Sequence, residues 1–217
     1  SNFPTGSQKS EIITQITGKN FLRDIVIELD LVNKPEFAKL FLIFLSSANW
    51  SLGSRVTRIT LRFKKYFVDE KADIVTADGG FDFSNDYSNQ EVSAFRLIFC
   101  EVVTGLSILK NGGNMVIKIF DLFSYPSIDL LYILTTLFDN IHIIKPFTSR
   151  SANSEKYILC KGFRGIRDKY LESLYEMVEE LSIVDQQNKF VKRLISNDIP
   201  KDFLDTIQAS NIYFISK

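Results

Sequence analysis

The chain is poor in the residues that build most metal and redox sites. Its 217 residues include one histidine, two cysteines, two methionines and one tryptophan. There is no Cys-x-x-Cys pair and no Cys/His cluster, and His142 lies in an apolar run, so a structural zinc is not expected. Cys100 and Cys160 also sit inside apolar runs, one with helical and one with strand patterning, and read as buried reduced thiols. Neither sign of charge is in excess, at 26 basic and 26 acidic side chains, so any contact with nucleic acid must come from a local patch. No apolar run reaches the roughly 18–20 residues that span a bilayer. The polar start "SNFPTGSQKS" is not a signal peptide, and the expectation is a protein that is neither secreted nor membrane-bound. No G-x-G-x-x-G follows any strand pattern, which removes a dinucleotide-dependent dehydrogenase. Internal repeats and low-complexity linkers are lacking as well.

What is present suits one α/β domain over residues 1–217, since 45% of the chain is hydrophobic and 24% charged. Three parts are expected: an N-terminal helical part (1–46), a sheet core (54–163) and a C-terminal helical extension (165–217). Residues 10–32 and 35–46 read as helices, the second opening with Pro35 and Glu36. "SRVTRITLRF" (54–63), Ile74–Ala77, "NMVIKIFD" (114–121), "IHIIKPF" (141–147) and "EKYILCKGF" (155–163) read as strands. Residues 90–110 and 127–140 read as helices, the first stopped by "NGG" at 111–113. Strands alternating with helices imply a mainly parallel sheet whose ligands bind beyond the carboxyl ends of the strands. The last two strands are expected to pair as a hairpin. "YLESLYEMVEEL" (170–181) has the spacing of a packing helix.

Three strand ends carry charge. Asp78 leaves a strand in "ADGG", where glycines let the backbone turn and a ligand approach. Lys118 stands between Ile117 and Ile119 inside a strand, and must be paired, snorkelling or functional. Glu155 opens the last strand, as a solvated end or as a carboxylate at the mouth of a site. Each alone is unremarkable. Together they gain weight, because a doubly wound sheet gathers such ends at one edge.

These segments resemble one family. "DIVTADGGFDFS" (73–84), "NQE" (89–91), "LKNGGNMVIKIFDLF" (109–123) and "IKPFTSRSANSEKYILCKGF" (144–163) are similar, in order and spacing, to the FtsJ-like ribose 2′-O-methyltransferases, most of all to the branch acting on messenger RNA caps. The resemblance implies a Rossmann-like fold with an antiparallel last strand and helices on both faces of the sheet. It implies S-adenosylmethionine as cofactor, held by Asp78, Gly79 and Gly80, and capped RNA as partner. It implies a Lys-Asp-Lys-Glu tetrad with Asp78, Lys118 and Glu155 as its last three members, Glu155 charged so as to hold the catalytic lysine. Lys39, on the helix expected over 35–46, is the candidate first lysine, with Lys19 and Lys34 as rivals. Lys118 would take the proton of a ribose 2′-hydroxyl or orient that hydroxyl electrostatically. Viral enzymes of this kind would work in the cytoplasm and cellular ones often in the nucleus. The Ile-, Phe- and Asn-rich wording hints weakly at an AT-rich genome of a large DNA virus.

A basic stretch, Lys145, Arg150, Lys156, Lys161, Arg164, Arg167 and Lys169, offers an RNA-binding face, with Arg150, Lys156 and Lys145 as its nearest members to the motif. One departure from the family is plain. Its Gly-rich cofactor loop is not legible where it should stand: "SSANWSLGSR" (46–55) has one glycine, no Pro-Gly and no apolar strand ahead of it on this reading. A catalytically inactive RNA- or protein-binding module is therefore the alternative.

Overall fold

A computed structural model describes residues 71–79, 89–146, 149, 153–186 and 191–216, and the backbone alone at 40–43 and 182–186. Among the described residues five strands form one sheet in the order β1-β2-β3-β5-β4. They are β1 (Leu40–Ile43), β2 (Ala72–Ala77), β3 (Leu109–Ile119), β4 (Phe138–Ile144) and β5 (Lys156–Phe163). The pairs β1–β2 and β2–β3 are parallel, whereas β5 runs antiparallel to both of its neighbours. The expected antiparallel last strand is thus present, hydrogen-bonded to β4 as the hairpin reading required.

Among the described residues four helices accompany the sheet: α1 (Gln90–Ile108), α2 (Tyr125–Leu137), α3 (Asp168–Gln186) and α4 (Lys201–Ile215). α1 connects β2 to β3, and α2 connects β3 to β4. Both crossovers advance across the sheet in the same direction, and right-handed connection then places both helices on one face. β2 is apolar along nearly its whole length because a central parallel strand is covered on both sides. α1 is buried almost continuously from Ala94 onward. α3 buries Leu171, Leu174, Val178 and Leu181, the one-sided stripe its spacing predicts, and packs on α1. Cys100 and Cys160 are free and buried, and burial pushes both thiols up, Cys100 to about 12. Among the described residues no helix is long and apolar enough to cross a membrane.

Several expected boundaries are corrected. Leu40–Ile43 is a strand and not part of a helix over 35–46. The run "LFLIFL" is apolar on every side, so it has no helical period of its own, and pairing with β2 decides its state. Ile43 pairs with Ala77, so β1 ends level with the strand that delivers Asp78. An apolar strand therefore does precede "SSANWSLGSR", which itself lies outside the described residues. That removes one ground for the inactive-module reading. The strand expected over 54–63 and the helix over 10–32 lie outside the described residues. α1 stops at Ile108, and "NGG" is part of β3, where three extra residues bulge out between the pairs Ala72–Leu109 and Ile74–Asn114. Gly113 belongs there because a Cβ would come within 2.9 Å of the Asp73 and Lys110 carbonyl oxygens. The next helix begins earlier than the expected 127–140, and β4 starts at Phe138 in place of Ile141. The Phe138 ring packs 5.2 Å from that of Phe163, which fixes the earlier start.

Candidate active site

The site is assembled at the carboxyl edge of β2 and β3. Asp78 follows β2 directly, and its Oδ1 lies 2.9 Å from the Lys118 Nζ. The same ammonium donates to the Asp78 carbonyl at 3.1 Å. The Lys118 side chain is only 12% exposed, so it does not snorkel to bulk water. Its burial is matched by an ion pair and a carbonyl, as a buried cation requires.

Glu155 reaches this pair through a residue that sequence reading left unassigned. Lys118 and Tyr157 are direct partners across the antiparallel β3–β5 ladder, so their side chains share a face. The Tyr157 hydroxyl lies 2.6 Å from Glu155 Oε1 and 3.3 Å from Asp78 Oδ1. A phenol has one proton to give, so the shorter contact takes the hydrogen bond. Burial, followed by the negative charge of Asp78, raises the Tyr157 pKa, and the hydroxyl stays a neutral donor between two carboxylates. Among the described residues no ion pair joins Glu155 to Lys118. Glu155 is held by Tyr157, by its own amide on Asn153 Oδ1 at 3.1 Å, and by a long 3.4 Å contact from Asn153 Nδ2. Tyr157 stands two residues after Glu155 in the quoted "SEKY", and same-face parity was the signal that could have found it.

The "NQE" motif (89–91) ties the rim together. Glu91 accepts the Phe123 and Ser124 amides at 3.0 and 2.8 Å and the Ser124 hydroxyl at 2.6 Å. Gln90 Oε1 accepts the Ser154 hydroxyl at 2.7 Å. Adjacent residues at the start of α1 thus hold both the loop after β3 and the loop before β5.

Among the described residues the basic stretch does not form one face. Lys156 is corrected outright as a surface cation: it is 5% exposed, its Nζ pairs with Asp121 Oδ1 at 2.7 Å, and it lies 5.6 Å from the centre of the Phe214 ring. Adjacent strand residues point to opposite faces, so Tyr157 and Lys156 cannot both serve the same site. Lys145 is half-buried and donates to the Asn153 carbonyl. Desolvation, then the nearby Lys156 charge, lowers its pKa. Arg164 and Arg167 lie beyond the far end of β5, whose last residue Phe163 is about 26 Å along the strand from Glu155 at 3.3 Å per residue. There Arg164 pairs with Asp139 at 2.8 Å and Arg167 lies over Tyr170 at 5.0 Å. Arg150, Gly80 and Lys39 lie outside the described residues. The neighbour of Lys39, Leu40, pairs with Ile74, four residues short of Asp78. Within the helix expected to carry Lys39, the described residues Leu40–Ile43 are strand.

Glu101, a lone acid in the apolar stretch "LIFCEVVTG", is the second residue missed. Its Oε1 accepts the Gly79 amide at 2.9 Å. The substitution of charge for apolar character in that run was the available signal.

The chain matches the FtsJ-like methyltransferase family over residues 18–163. It is 34% identical over 142 residues to the cap-specific mRNA (nucleoside-2′-O-)-methyltransferase 2 of Pongo abelii, covering 65% of this chain and 18% of that protein. Against the corresponding methyltransferase 1A of Caenorhabditis briggsae it is 35% identical over 147 residues, covering 64% and 16%. Against methyltransferase 2 of Drosophila melanogaster it is 38% identical over 137 residues, covering 62% and 19%. The chain thus spans less than a fifth of the length of these relatives. A solved ribosomal RNA methyltransferase of Plasmodium falciparum overlays half of this chain and 56% of its own, with a TM-score of 0.37 and 22% identity, too faint a likeness to argue from. By the match over 18–163, the chain belongs to the FtsJ-like methyltransferase family.

Proposed function

We propose that this chain is an S-adenosylmethionine-dependent RNA ribose 2′-O-methyltransferase acting on the cap-proximal nucleotide of messenger RNA. Family membership and the names of the relatives support the class of reaction and acceptor. The observation that carries it is the convergence of Asp78, Lys118 and, through Tyr157, Glu155 at one sheet edge.

Asp78 fits a cationic cofactor. Lys118 pairs with Oδ1, from which the Tyr157 hydroxyl stands 3.3 Å, while Oδ2 has no partner among the described residues, and the side chain is 32% exposed. Asp78, with Gly79 and Gly80, would hold S-adenosylmethionine, which when bound supplies an electrophilic methyl on a positively charged sulfur. The chain's own contribution is positioning and charge. Lys118 gives two N–H bonds to Asp78 and has one left for the incoming 2′-oxygen, where it stabilises developing negative charge. In its neutral form the amine would instead take the hydroxyl proton, and the pH–rate profile separates the two roles. Tyr157 keeps the carboxylates of Asp78 and Glu155 apart and oriented, so that Lys118 is aimed without being fully neutralised. Alignment of acceptor and donor supplies much of the acceleration.

Titration calorimetry with S-adenosylmethionine tests the cofactor assignment. Asp78→Asn should weaken binding at least ~10-fold, the scale of one charge-assisted contact, while Lys118→Ala leaves it within ~3-fold. Equal binding by Asp78→Asn and the parent protein would remove Asp78 from the cofactor site.

A further inference from the structure

We propose that Glu101 is a positioning residue that sets the Asp78–Gly79 turn by accepting the Gly79 amide from beneath it. This rests on the reading of Asp78 and Lys118 as the site of methyl transfer. α1 lies under the carboxyl ends of β2 and β3, and Glu101 rises from it as a fully buried side chain, 0% exposed. Its Oε1 takes the Gly79 N–H at 2.9 Å. The fit between the carboxyl and the turn is tight. A Cβ at Gly79 would lie 2.5 Å from Glu101 Oε1 and 3.0 Å from its Cδ, so a side chain there would push this carboxyl off the turn.

A second buried acid shows how differently Glu101 is built. Asp129 on α2 is equally buried but carries Arg193 at 2.9 Å and the Leu194 amide at 2.7 Å, a charge fully matched. Glu101 has one amide, and its Oε2 has no hydrogen-bond partner among the described residues. No lysine or arginine pairs with it among the described residues; Lys118 and Asp78 are the charged groups that act on it from the strand ends above. Desolvation raises its pKa to about 8, with the Gly79 bond and Lys118 pulling the other way. That shift favours the protonated, neutral acid at neutral pH. Such a group holds the turn as a neutral acceptor and adds no negative charge beneath Lys118. A carboxylate there would compete with Asp78 for the ammonium.

Two substitutions separate acceptor from filler. Glu101→Gln keeps size and an amide-accepting oxygen; Glu101→Leu keeps bulk and leaves the Gly79 N–H buried and unmatched. Hydrogen exchange at the Gly79 amide and the split between kcat and KM for capped RNA are the readouts. For Glu101→Gln, exchange and kcat should stay within ~3-fold of the parent. For Glu101→Leu, the Gly79 amide should exchange at least ~10-fold faster and kcat fall at least ~10-fold with RNA KM within ~2-fold, the scale of one unmatched buried donor. The proposal is overturned if Glu101→Leu leaves Gly79 exchange unchanged, or if a folded Glu101→Gln loses as much rate as Glu101→Leu. Should Glu101→Leu not fold, the Glu101→Gln result alone decides. If the parent protein transfers no methyl group, the functional reading fails, while the exchange comparison still judges Glu101.

Discussion

The two edges of the sheet carry the same kinds of ion pair and put them to different ends. At the carboxyl edge of β3, Lys118 meets Asp78 with side-chain exposures of 12% and 32%. At the opposite edge, Lys110 meets Asp73 at 50% and 23%, and Arg164 meets Asp139 at 55% and 60%. Lys110 and Arg164 line an open cavity of about 1230 Å³ together with Leu106, Leu109 and Leu174. Water screens them, and the worth of such pairs is small. The half-buried pair, with the least exposed cation of the three, is linked onward to Tyr157, Glu155 and the turn above Glu101. Charge alone does not mark a site; desolvation with interlocking partners does.

Breaking each edge should expose this asymmetry. Lys118→Ala is the largest expected effect: methyl transfer should fall by at least ~10³-fold, within the range for loss of a positioned proton-transfer or charge-stabilising group, with far-ultraviolet circular dichroism unchanged. Tyr157→Phe removes only the bridging hydroxyl. It should cost ~10–100-fold in kcat, since one buried acceptor pair loses its donor, and cofactor affinity by calorimetry should move less than ~3-fold.

Glu101 sharpens the contrast through pH. The folded protein holds its proton up to about 8, whereas the unfolded chain releases it near the ordinary 4.5. The unfolded state therefore binds fewer protons in that window, and Glu101 costs stability progressively as pH rises from about 4.5 to about 8. Glu101→Gln cannot titrate. Its Tm relative to the parent should climb between pH 5 and pH 8, and a gap independent of pH would contradict a protonated Glu101. The smallest effect belongs to the far edge. Arg164→Ala should change stability by ~0.5 kcal/mol or less in denaturant unfolding and leave methyl transfer untouched.

Much of the site was legible because strands obey a period of two. Asp78, Lys118 and Glu155 stand at or near strand ends, and a sheet of this kind delivers such ends to one edge. The same rule explains a failure: Lys156 is next to Glu155 in sequence, yet its parity turns it to the opposite face, onto Asp121 and under Phe214. Glu101 was hidden for another reason. On a helix buried nearly all round, a single acid carries no periodic signal, and only the approach of Gly79 gives it meaning. Leu40–Ile43 was misread because six consecutive apolar residues satisfy helix and strand alike, and the partner strand β2 makes the choice.

The central claim is tested most directly by transfer of a labelled methyl group from S-adenosylmethionine to short capped RNA, with the product digested and the methyl located by mass spectrometry. The account predicts a methyl on the ribose 2′-oxygen of a cap-proximal nucleotide with the parent protein, and none with Lys118→Ala. A methyl on a base, or undiminished transfer by Lys118→Ala, would contradict it.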